Sequence, residues 1–337
     1  MTWLNDMRIL AALAIIFVHV SQVSLNLPSD IDSLAWWTSN LYLSFSLWGV
    51  PAFVMISGAL LLTPNRDYPN LSSFYKKRIN RLLIPLLFWS IFYLFWSYLK
   101  SNALGKPFET EEMLSNILSG RPYYHMWYLY MVFGLYLFTP YLRKIVKYST
   151  DREIFILSII LLCISIISVA THTSPHHATV FIQMFPLYLG YFFAGHLIFN
   201  SNRKVKSLYL TLLFIFFAML TAVGHYYETI YTQGNYFYQN FSITIIPMSI
   251  SLMFLIKNIH HTIPIDTHKR KQLAIFSLGA YLIHPAVFDV IKKFHYFGFD
   301  PQVHVWIMIP LTVIFITICS LLIAYCFSKT IYLRKTI

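Results

Sequence analysis

The chain has 337 residues, of which 57% are hydrophobic and only 11% are charged. Soluble domains carry about 25% charged residues, so this composition suits a lipid bilayer better than water. The formal net charge of +12 would suggest nucleic-acid binding in a soluble protein. Here the basic residues lie between apolar runs, so membrane orientation explains them better, and no nucleic-acid partner is expected.

The predicted fold is all-α, a single polytopic membrane domain over residues 1–337. A spanning helix needs about 20 mostly apolar residues, and about ten segments fit that description. All are interpreted as helices, because an unpaired strand edge is not tolerated in lipid. In chain order the predicted segments are 7–25, 41–63, 82–99, 126–142, 154–171, 180–199, 208–225, 241–256, 273–291 and 305–327.

Lysine and arginine predict the orientation of these helices. If both termini are cytoplasmic, 20 of the 25 Lys and Arg residues fall on the cytoplasmic side and the loops alternate strictly. Cytoplasmic loops are the ones that carry excess positive charge. We therefore expect a multi-pass protein of the cell (inner) membrane, with the N-terminus and the C-terminus inside.

The predicted outer loops are polar in a different way. Residues 26–40 include Asp30 and Asp32, and residues 226–240 are rich in tyrosine, asparagine and glutamine. Such surfaces suit a polyhydroxy ligand such as a sugar. An ordinary aromatic belt at the membrane interface explains most of these tyrosines equally well.

The first predicted helix carries two ionisable residues, Arg8 and His19, eleven positions apart. Eleven steps of 100° bring both side chains onto one helix face, and the rise is about 16 Å. With Arg8 at the cytoplasmic edge, His19 lies near the middle of the membrane. Ionisable groups at that depth are costly and usually functional, although a single helix histidine is often only a packing residue.

A basic run, Lys76 to Arg81, precedes the third predicted helix. Arg78 and Arg81 are three residues apart and share a helix face. Guanidinium groups suit phosphate oxygens, and a helix N-terminus at this point would add free N–H groups. Plain positive-inside anchoring is the competing explanation for the same residues.

Weaker signals lie on other segments. Ser57-Gly58 in the second helix favours close helix packing, and His125 to Tyr128 opens the fourth helix at the outer face. His284-Pro285 lies inside the ninth helix, where proline frees a backbone carbonyl and favours a kink beside a cavity. No metal site is predicted: three histidines of one short outer loop could bind metal but are best explained as solvated, namely His172, His176 and His177.

Six short motifs are spread over nearly the whole chain. They are Arg8 with His19, Ser57-Gly58, Arg78-Ile-Asn-Arg81, His125-Met-Trp127-Tyr128, Thr139-Pro140 and Ser277 to His284. Together they resemble the acyltransferase family 3 membrane enzymes. The last three look like the branch that O-acetylates surface polysaccharides, including enterobacterial common antigen. One departure is Asn5, where the family usually has aspartate; the adjacent Asp6 would be an imperfect replacement for that aspartate as the partner of Arg8.

The resemblance implies transfer of an acyl group, by default acetyl, from acyl-CoA to a hydroxyl of a surface polysaccharide or its lipid-linked precursor. It implies no permanently bound cofactor. Arg8, Arg78 and Arg81 would hold the donor phosphates, and His19 would remove the hydroxyl proton as general base. A covalent acyl-histidine intermediate is an alternative. The same comparison suggests three substrate-binding residues: Trp127, Tyr128 and His284.

Two other classes of protein compete with this interpretation. A membrane glycosyltransferase could use a lipid-linked sugar, with Asp30 and Asp32 as metal ligands or base, but the chain has only 13 acidic residues. A transporter or flippase of polysaccharide units would be expected to show repeated halves, and the sequence shows none. Only the acyltransferase consumes acyl-CoA.

Overall fold

The computed structural model describes residues 2–27, 30–63, 71–105, 110–171, 184–260, 266–293 and 304–337. Every regular element in these ranges is helical, which confirms the all-α prediction. Short 3₁₀ turns lie at Phe185–Tyr188, Tyr236–Tyr238 and Leu333–Lys335. The α-helices are α1 Thr2–Leu25, α2 Leu34–Ser44, α3 Gly49–Leu61, α4 Leu71–Ala103, α5 Thr110–Leu118, α6 Trp127–Tyr148, α7 Asp151–Thr171, α8 Leu189–Asn200, α9 Ser207–Tyr231, α10 Ile245–Ile259, α11 Thr267–Lys293 and α12 Val305–Lys329.

Seven helical stretches in the described part of the chain are long and apolar enough to cross a membrane: α1, α2 with α3, α4, α7, α9, α11 and α12. The prediction of ten spans is confirmed for these seven only. The predicted segments 126–142, 180–199 and 241–256 overlap α6, α8 and α10, with bounds that differ by up to nine residues. At about 1.5 Å per residue, α8 and α10 are shorter than the roughly 30 Å hydrocarbon core. α6 ends in a basic stretch.

The second span is broken rather than continuous. It begins at Leu34, earlier than predicted, where the Ser33 side chain accepts a hydrogen bond from the Trp36 N–H at 3.1 Å. Helix α2 ends at Ser44, and α3 begins at Gly49. Pro51 lacks an N–H and its ring clashes with the carbonyl four residues earlier, which explains the break.

Helices α3 and α8 pack at backbone contact through two glycines. A Cβ added at Gly58 would lie 1.8 Å from the Phe192 carbonyl oxygen, and one added at Gly195 would lie 1.9 Å from that of Met55. Small residues allow membrane helices to approach this closely. The close packing predicted from Ser57-Gly58 is therefore confirmed.

Helix α4 begins eleven residues before its predicted start and runs for 33 residues. That is about 50 Å, well beyond the hydrocarbon thickness. The basic run from Lys76 to Arg81 consequently lies inside the helix. Its backbone N–H groups belong to the helical ladder, so the expected helix N-terminus at Arg78 and Arg81 is wrong, and only their side chains remain available to an anion.

Helix α1 contacts α2, α3, α10, α11 and α12, and an ion pair joins it to α11. The Arg270 Nε lies 2.9 Å from Asp6 Oδ1, and both residues are almost completely buried. Asp6, which the sequence suggested as a stand-in partner for Arg8, is thus paired with Arg270. Removing one partner of a buried pair usually destabilises a protein by 3–5 kcal/mol, so this contact fixes the α1–α11 register.

Candidate active site

His19 lies on α1 at the contact with α11, and its side chain is half-buried. Its ring is nearly parallel to that of His284, with an interplanar angle of 22° and a centroid separation of 5.3 Å. The edge of Tyr124 packs against it at 4.8 Å. His19, the predicted base, therefore has a second histidine as its neighbour.

A third histidine, His125, completes the group. It lies in the turn before α6 and is 1% exposed, with its ring 5.5 Å from that of His284 at 76°. The Tyr281 hydroxyl donates to the His125 backbone carbonyl and holds the turn against α11. Neither ring nitrogen has a hydrogen-bond partner of good geometry among the described residues, although the Leu282 carbonyl lies near the ring.

The hydrogen bonding of His284 follows from the next residue in the chain. Pro285 lies inside α11 and has no N–H, so the Tyr281 carbonyl, four residues earlier, loses its helical donor. The His284 Nδ1 fills that role at 2.6 Å. A carbonyl can only accept, so Nδ1 carries the proton and Nε2 has the lone pair. That Nε2 is buried and has no partner among the described residues.

Tyr93 of α4 bonds to the backbone beside Pro285. Its hydroxyl donates to the Leu282 carbonyl at 2.5 Å and accepts from the Ala286 N–H. It thereby bridges two backbone groups on either side of Pro285. The free carbonyl predicted from His284-Pro285 is therefore satisfied by a side chain, while α11 continues through the proline as one helix.

Two of the three predicted donor-binding arginines lie near tyrosines of α6. Arg8 is half-buried and close enough to the Tyr128 hydroxyl to act on it electrostatically. Arg78 is also half-buried, with its guanidinium carbon 5.9 Å from the centroid of the Tyr136 ring. Tyr136 follows Tyr128 by eight residues on α6, so these arginines lie further along that helix than the turn that carries Tyr124. Arg81 is exposed.

A row of aromatic rings connects the arginines with the histidines. Tyr128 packs against Tyr281 at 5.6 Å, and Tyr281 packs against His284 at 5.9 Å. Tyr281 therefore links two of the three predicted substrate-binding residues, Tyr128 and His284. Trp127 contacts Tyr188 instead, at 6.1 Å, because successive helix residues point about 100° apart.

Beyond the histidines, on the Tyr124 side, lies a polar cluster that the sequence did not predict. Asp289 accepts hydrogen bonds from Lys100 Nζ at 3.0 Å and from Trp96 Nε1 at 3.0 Å. The Tyr123 hydroxyl donates to the same carboxylate oxygen. The cluster ties the end of α4 to α11 and to the turn that carries His125.

The predicted outer loops carry an aromatic surface. Trp37 packs against Tyr226 at 4.9 Å, and the Tyr226 hydroxyl donates to Asp32 Oδ1 at 2.8 Å. Behind them, burial raises the pKa of the Tyr238 hydroxyl, which therefore stays protonated and donates to Asn40 Oδ1 at 2.6 Å.

The described ranges contain no group of three His, Cys, Asp or Glu side chains arranged to hold a metal ion. This statement covers the His19, His125 and His284 group and also Asp30 and Asp32. The loop histidines that the sequence analysis set aside lie outside the described residues: His172, His176 and His177.

Comparison with known proteins assigns the class. Residues 1–329 match the family model of the acyltransferase family 3, described as an acyltransferase domain. The match covers nearly the whole chain, so the protein belongs to that family and is a multi-pass membrane acyltransferase. No curated protein and no solved structure is significantly similar to it.

Proposed function

We propose that this protein transfers an acyl group, acetyl in the first instance, from acyl-CoA to a hydroxyl of a surface polysaccharide or of its lipid-linked precursor. The setting is the cell (inner) membrane, with donor entry from the cytoplasmic face. The observation that carries the proposal is the placement of His19. It lies on a spanning helix, eleven residues after Arg8, and an exposed tyrosine, Tyr124, packs against its ring.

The donor subsite is formed by Arg8 and Arg78, with Arg81 at its entrance. Acyl-CoA carries several phosphates, and guanidinium groups bind phosphate through paired hydrogen bonds. Arg8 and Arg78 both lie along the face of α6 that carries Tyr128 and Tyr136. An extended acyl-pantetheine arm follows the aromatic row from these arginines to His19.

The chemistry requires one proton transfer in each direction. A ring nitrogen of His19 takes the proton of the acceptor hydroxyl as its oxygen attacks the thioester carbonyl. The tetrahedral intermediate then collapses, the carbon–sulfur bond breaks, and the CoA thiolate takes that proton back from His19. The products are the O-acyl ester and CoA, and the enzyme returns to its starting protonation state.

The acceptor approaches from the Tyr124 side. Tyr124 is 41% exposed, although its ring packs against His19, so a hydroxyl entering beside it reaches the base. Trp37 and Tyr226 supply aromatic faces of the kind on which sugar rings stack. These contacts support a polyhydroxy acceptor over a small alcohol.

The test is an assay of purified protein in lipid nanodiscs with isotopically labelled acetyl-CoA and a lipid-linked glycan. Transfer of label to the glycan, with matching release of CoA, is expected for the wild type. A glycosyltransferase would consume the lipid-linked sugar without acyl-CoA, and a flippase would consume neither. Either of those results would overturn the proposal.

A further inference from the structure

The tautomer of a base decides which of its nitrogens can accept a proton. For His19 to act as a base, one ring nitrogen must carry a lone pair and the other must carry the hydrogen. In many enzymes a carboxylate fixes that choice by accepting the N–H. The carboxylate of Asp289 is already engaged by Lys100, Trp96 and Tyr123, and the ring that lies against His19 is that of His284.

His284 is equipped to be the acceptor. Its Nδ1 is committed as a donor to the Tyr281 carbonyl at 2.6 Å, and its buried Nε2 has no partner among the described residues. A buried acceptor without a partner costs free energy, so an approaching N–H would be stabilising. The histidine is 0% exposed, which leaves little room for its ring to turn over.

The spacing of the two rings fits such a contact. An in-plane N–H···N bond of about 2.9 Å places two imidazole centroids roughly 5.2 Å apart. The observed separation of His19 and His284 is 5.3 Å at 22°. A small rotation of the half-buried His19 ring is therefore enough to direct its N–H at the Nε2 lone pair.

We propose that His284 is a positioning residue for His19. Pro285 frees the Tyr281 carbonyl, the carbonyl holds His284 in its Nδ1–H tautomer, and Nε2 then accepts the N–H of His19. The other nitrogen of His19 is thereby left as the base that faces the acceptor. This assignment of roles rests on the proposed acyl transfer, whereas the tautomer lock itself is a property of α11.

Kinetics distinguish positioning from a merely structural role. His284→Leu removes the acceptor, and loss of an orienting partner typically costs 10- to 100-fold in activity, so we expect a fall of that size in kcat with the KM for acyl-CoA unchanged. His284→Gln keeps an acceptor oxygen near the Nε2 position and should recover part of kcat. Equal losses in the Leu and Gln variants would overturn the proposal.

Pro285→Ala tests whether the proline holds His284 in its Nδ1–H tautomer. It restores an N–H that can bond to the Tyr281 carbonyl, so His284 is released and kcat should fall several-fold without a change in KM. The matched control is Pro310→Ala, which removes an interior proline from α12 and should leave kcat unchanged. If Pro285→Ala keeps full kcat, the proline does not set the tautomer.

A spectroscopic measurement does not depend on activity. The chain has 13 histidines, so the ¹⁵N resonances of His284 in bilayer samples are identified by difference with His284→Gln. We expect a protonated Nδ1 and an unprotonated Nε2, and a change in the His19 resonances in His284→Leu. A protonated Nε2, or an unchanged His19, would overturn the proposal. If the wild type fails to consume acyl-CoA, the proposed function is wrong. The resonances still show whether His284 is held in its Nδ1–H tautomer.

His125 is the competing partner, because its ring also lies beside His284. His125→Phe keeps an aromatic ring in the turn and removes both nitrogens. We expect it to lower kcat less than His284→Leu and to leave the His19 resonances in place. If it matches His284→Leu in both measurements, Nε2 serves His125 and the assignment to His19 is wrong.

Discussion

Positive charges have different neighbours on the two sides of the histidine group, the Tyr124 side and the arginine side. On the Tyr124 side, Lys100 lies 3.0 Å from Asp289, and Trp96 and Tyr123 bond to the same carboxylate. On the other side, Arg78 lies over the rings of Phe74 and Tyr136 at 5.8 and 5.9 Å. The charge of Lys100 is matched by a carboxylate, while Arg78 has two aromatic faces among its neighbours.

The difference bears on where a charged ligand would bind. Lys100 already donates hydrogen bonds to Asp289 and to Tyr123, so most of its donors are in use. A guanidinium can contact an aromatic ring through its face and a phosphate through its edge, because its N–H groups lie in its plane. We therefore propose the arginine side for the polyanionic donor and the Tyr124 side for an uncharged acceptor.

The largest expected effect comes from the residue between the two sides. We predict that His19→Ala lowers transfer by about 10²–10⁴-fold, the usual range for loss of a general base. Binding of acyl-CoA should persist, because the arginines are untouched. The measurement is label transfer in nanodiscs, together with donor binding by calorimetry. His196→Ala is the matched control, since His196 is a buried histidine of α8 bonded to Asn200.

Transfer at the wild-type level by His19→Ala would remove His19 from the mechanism. Loss of donor binding in the same variant would mean that the histidine belongs to the donor side, and the division between the two sides would then fail.

A smaller effect is expected on the arginine side. Arg78→Lys keeps the positive charge but loses the planar pair of N–H donors with which a guanidinium binds phosphate. One charge-assisted hydrogen bond contributes about 1.5–3 kcal/mol. Acyl-CoA affinity should therefore fall roughly 10- to 150-fold, since about 1.4 kcal/mol is tenfold. The measurement is acyl-CoA titration of the purified variant, with Arg203→Lys, on an exposed loop, as the control.

Arg81→Lys makes the comparison sharper. Its position in the sequence, nearer the membrane and the level of Arg8, suggested that it would be the more severe variant. In the structure Arg81 is exposed and Arg78 is half-buried. Exposed charge contacts contribute about 0–1 kcal/mol, so we now expect a loss of no more than roughly fivefold. If both lysine variants bind the donor like the wild type, these arginines serve only as topological anchors.

Asp289→Asn weakens the polar cluster of Asp289, Lys100, Trp96 and Tyr123 on the Tyr124 side of the histidines. The amide oxygen keeps one acceptor, but the charge that holds Lys100 is lost, and Tyr123 and Trp96 must share a weaker partner. Losing charge-assisted bonds to a mostly buried carboxylate should cost about 1–3 kcal/mol of stability. We expect a lower thermal midpoint and a raised acceptor KM, with acyl-CoA affinity unchanged. A change in donor affinity would contradict the separation of the two sides.

What the sequence could predict was mostly local. The distance between Arg8 and His19 along α1 follows from helix geometry, and the close packing of α3 against a neighbouring helix follows from Gly58. The free carbonyl of Tyr281 was also predictable, because the proline four residues later has no N–H to donate to it. In each case the cause lies within one helix, where the periodicity of the chain determines the outcome.

Contacts between distant segments could not be predicted in this way. Asp6 was expected near Arg8 but pairs with Arg270, which is 264 positions later in the chain. His125 was noted only as part of a helix opening, yet it packs against His284 through a turn held by Tyr281. Nothing in the period of a single helix specifies which other helix it meets, and that choice depends on packing of the whole bundle.

The smallest expected effect on activity belongs to the test of topology. The two-sided site requires the arginines to be cytoplasmic and Tyr124 to face outward, which follows if both termini are inside. Reporters fused after Ile337 and within residues 200–207 should therefore report the cytoplasm, and a fusion within residues 226–240 should report the exterior, with acyl transfer retained.

The second and third positions flank α9, a well-defined span of 25 residues. Reporters at these two positions should give opposite signals whether or not α6, α8 and α10 cross the membrane. The signal from the C-terminal fusion also depends on whether those three helices cross. A cytoplasmic signal from residues 226–240 would mean that the protein has the opposite orientation in the membrane. The arginines would then lie outside, where acyl-CoA is absent. An external Ile337 alone would mean that one of the three shorter helices does not cross.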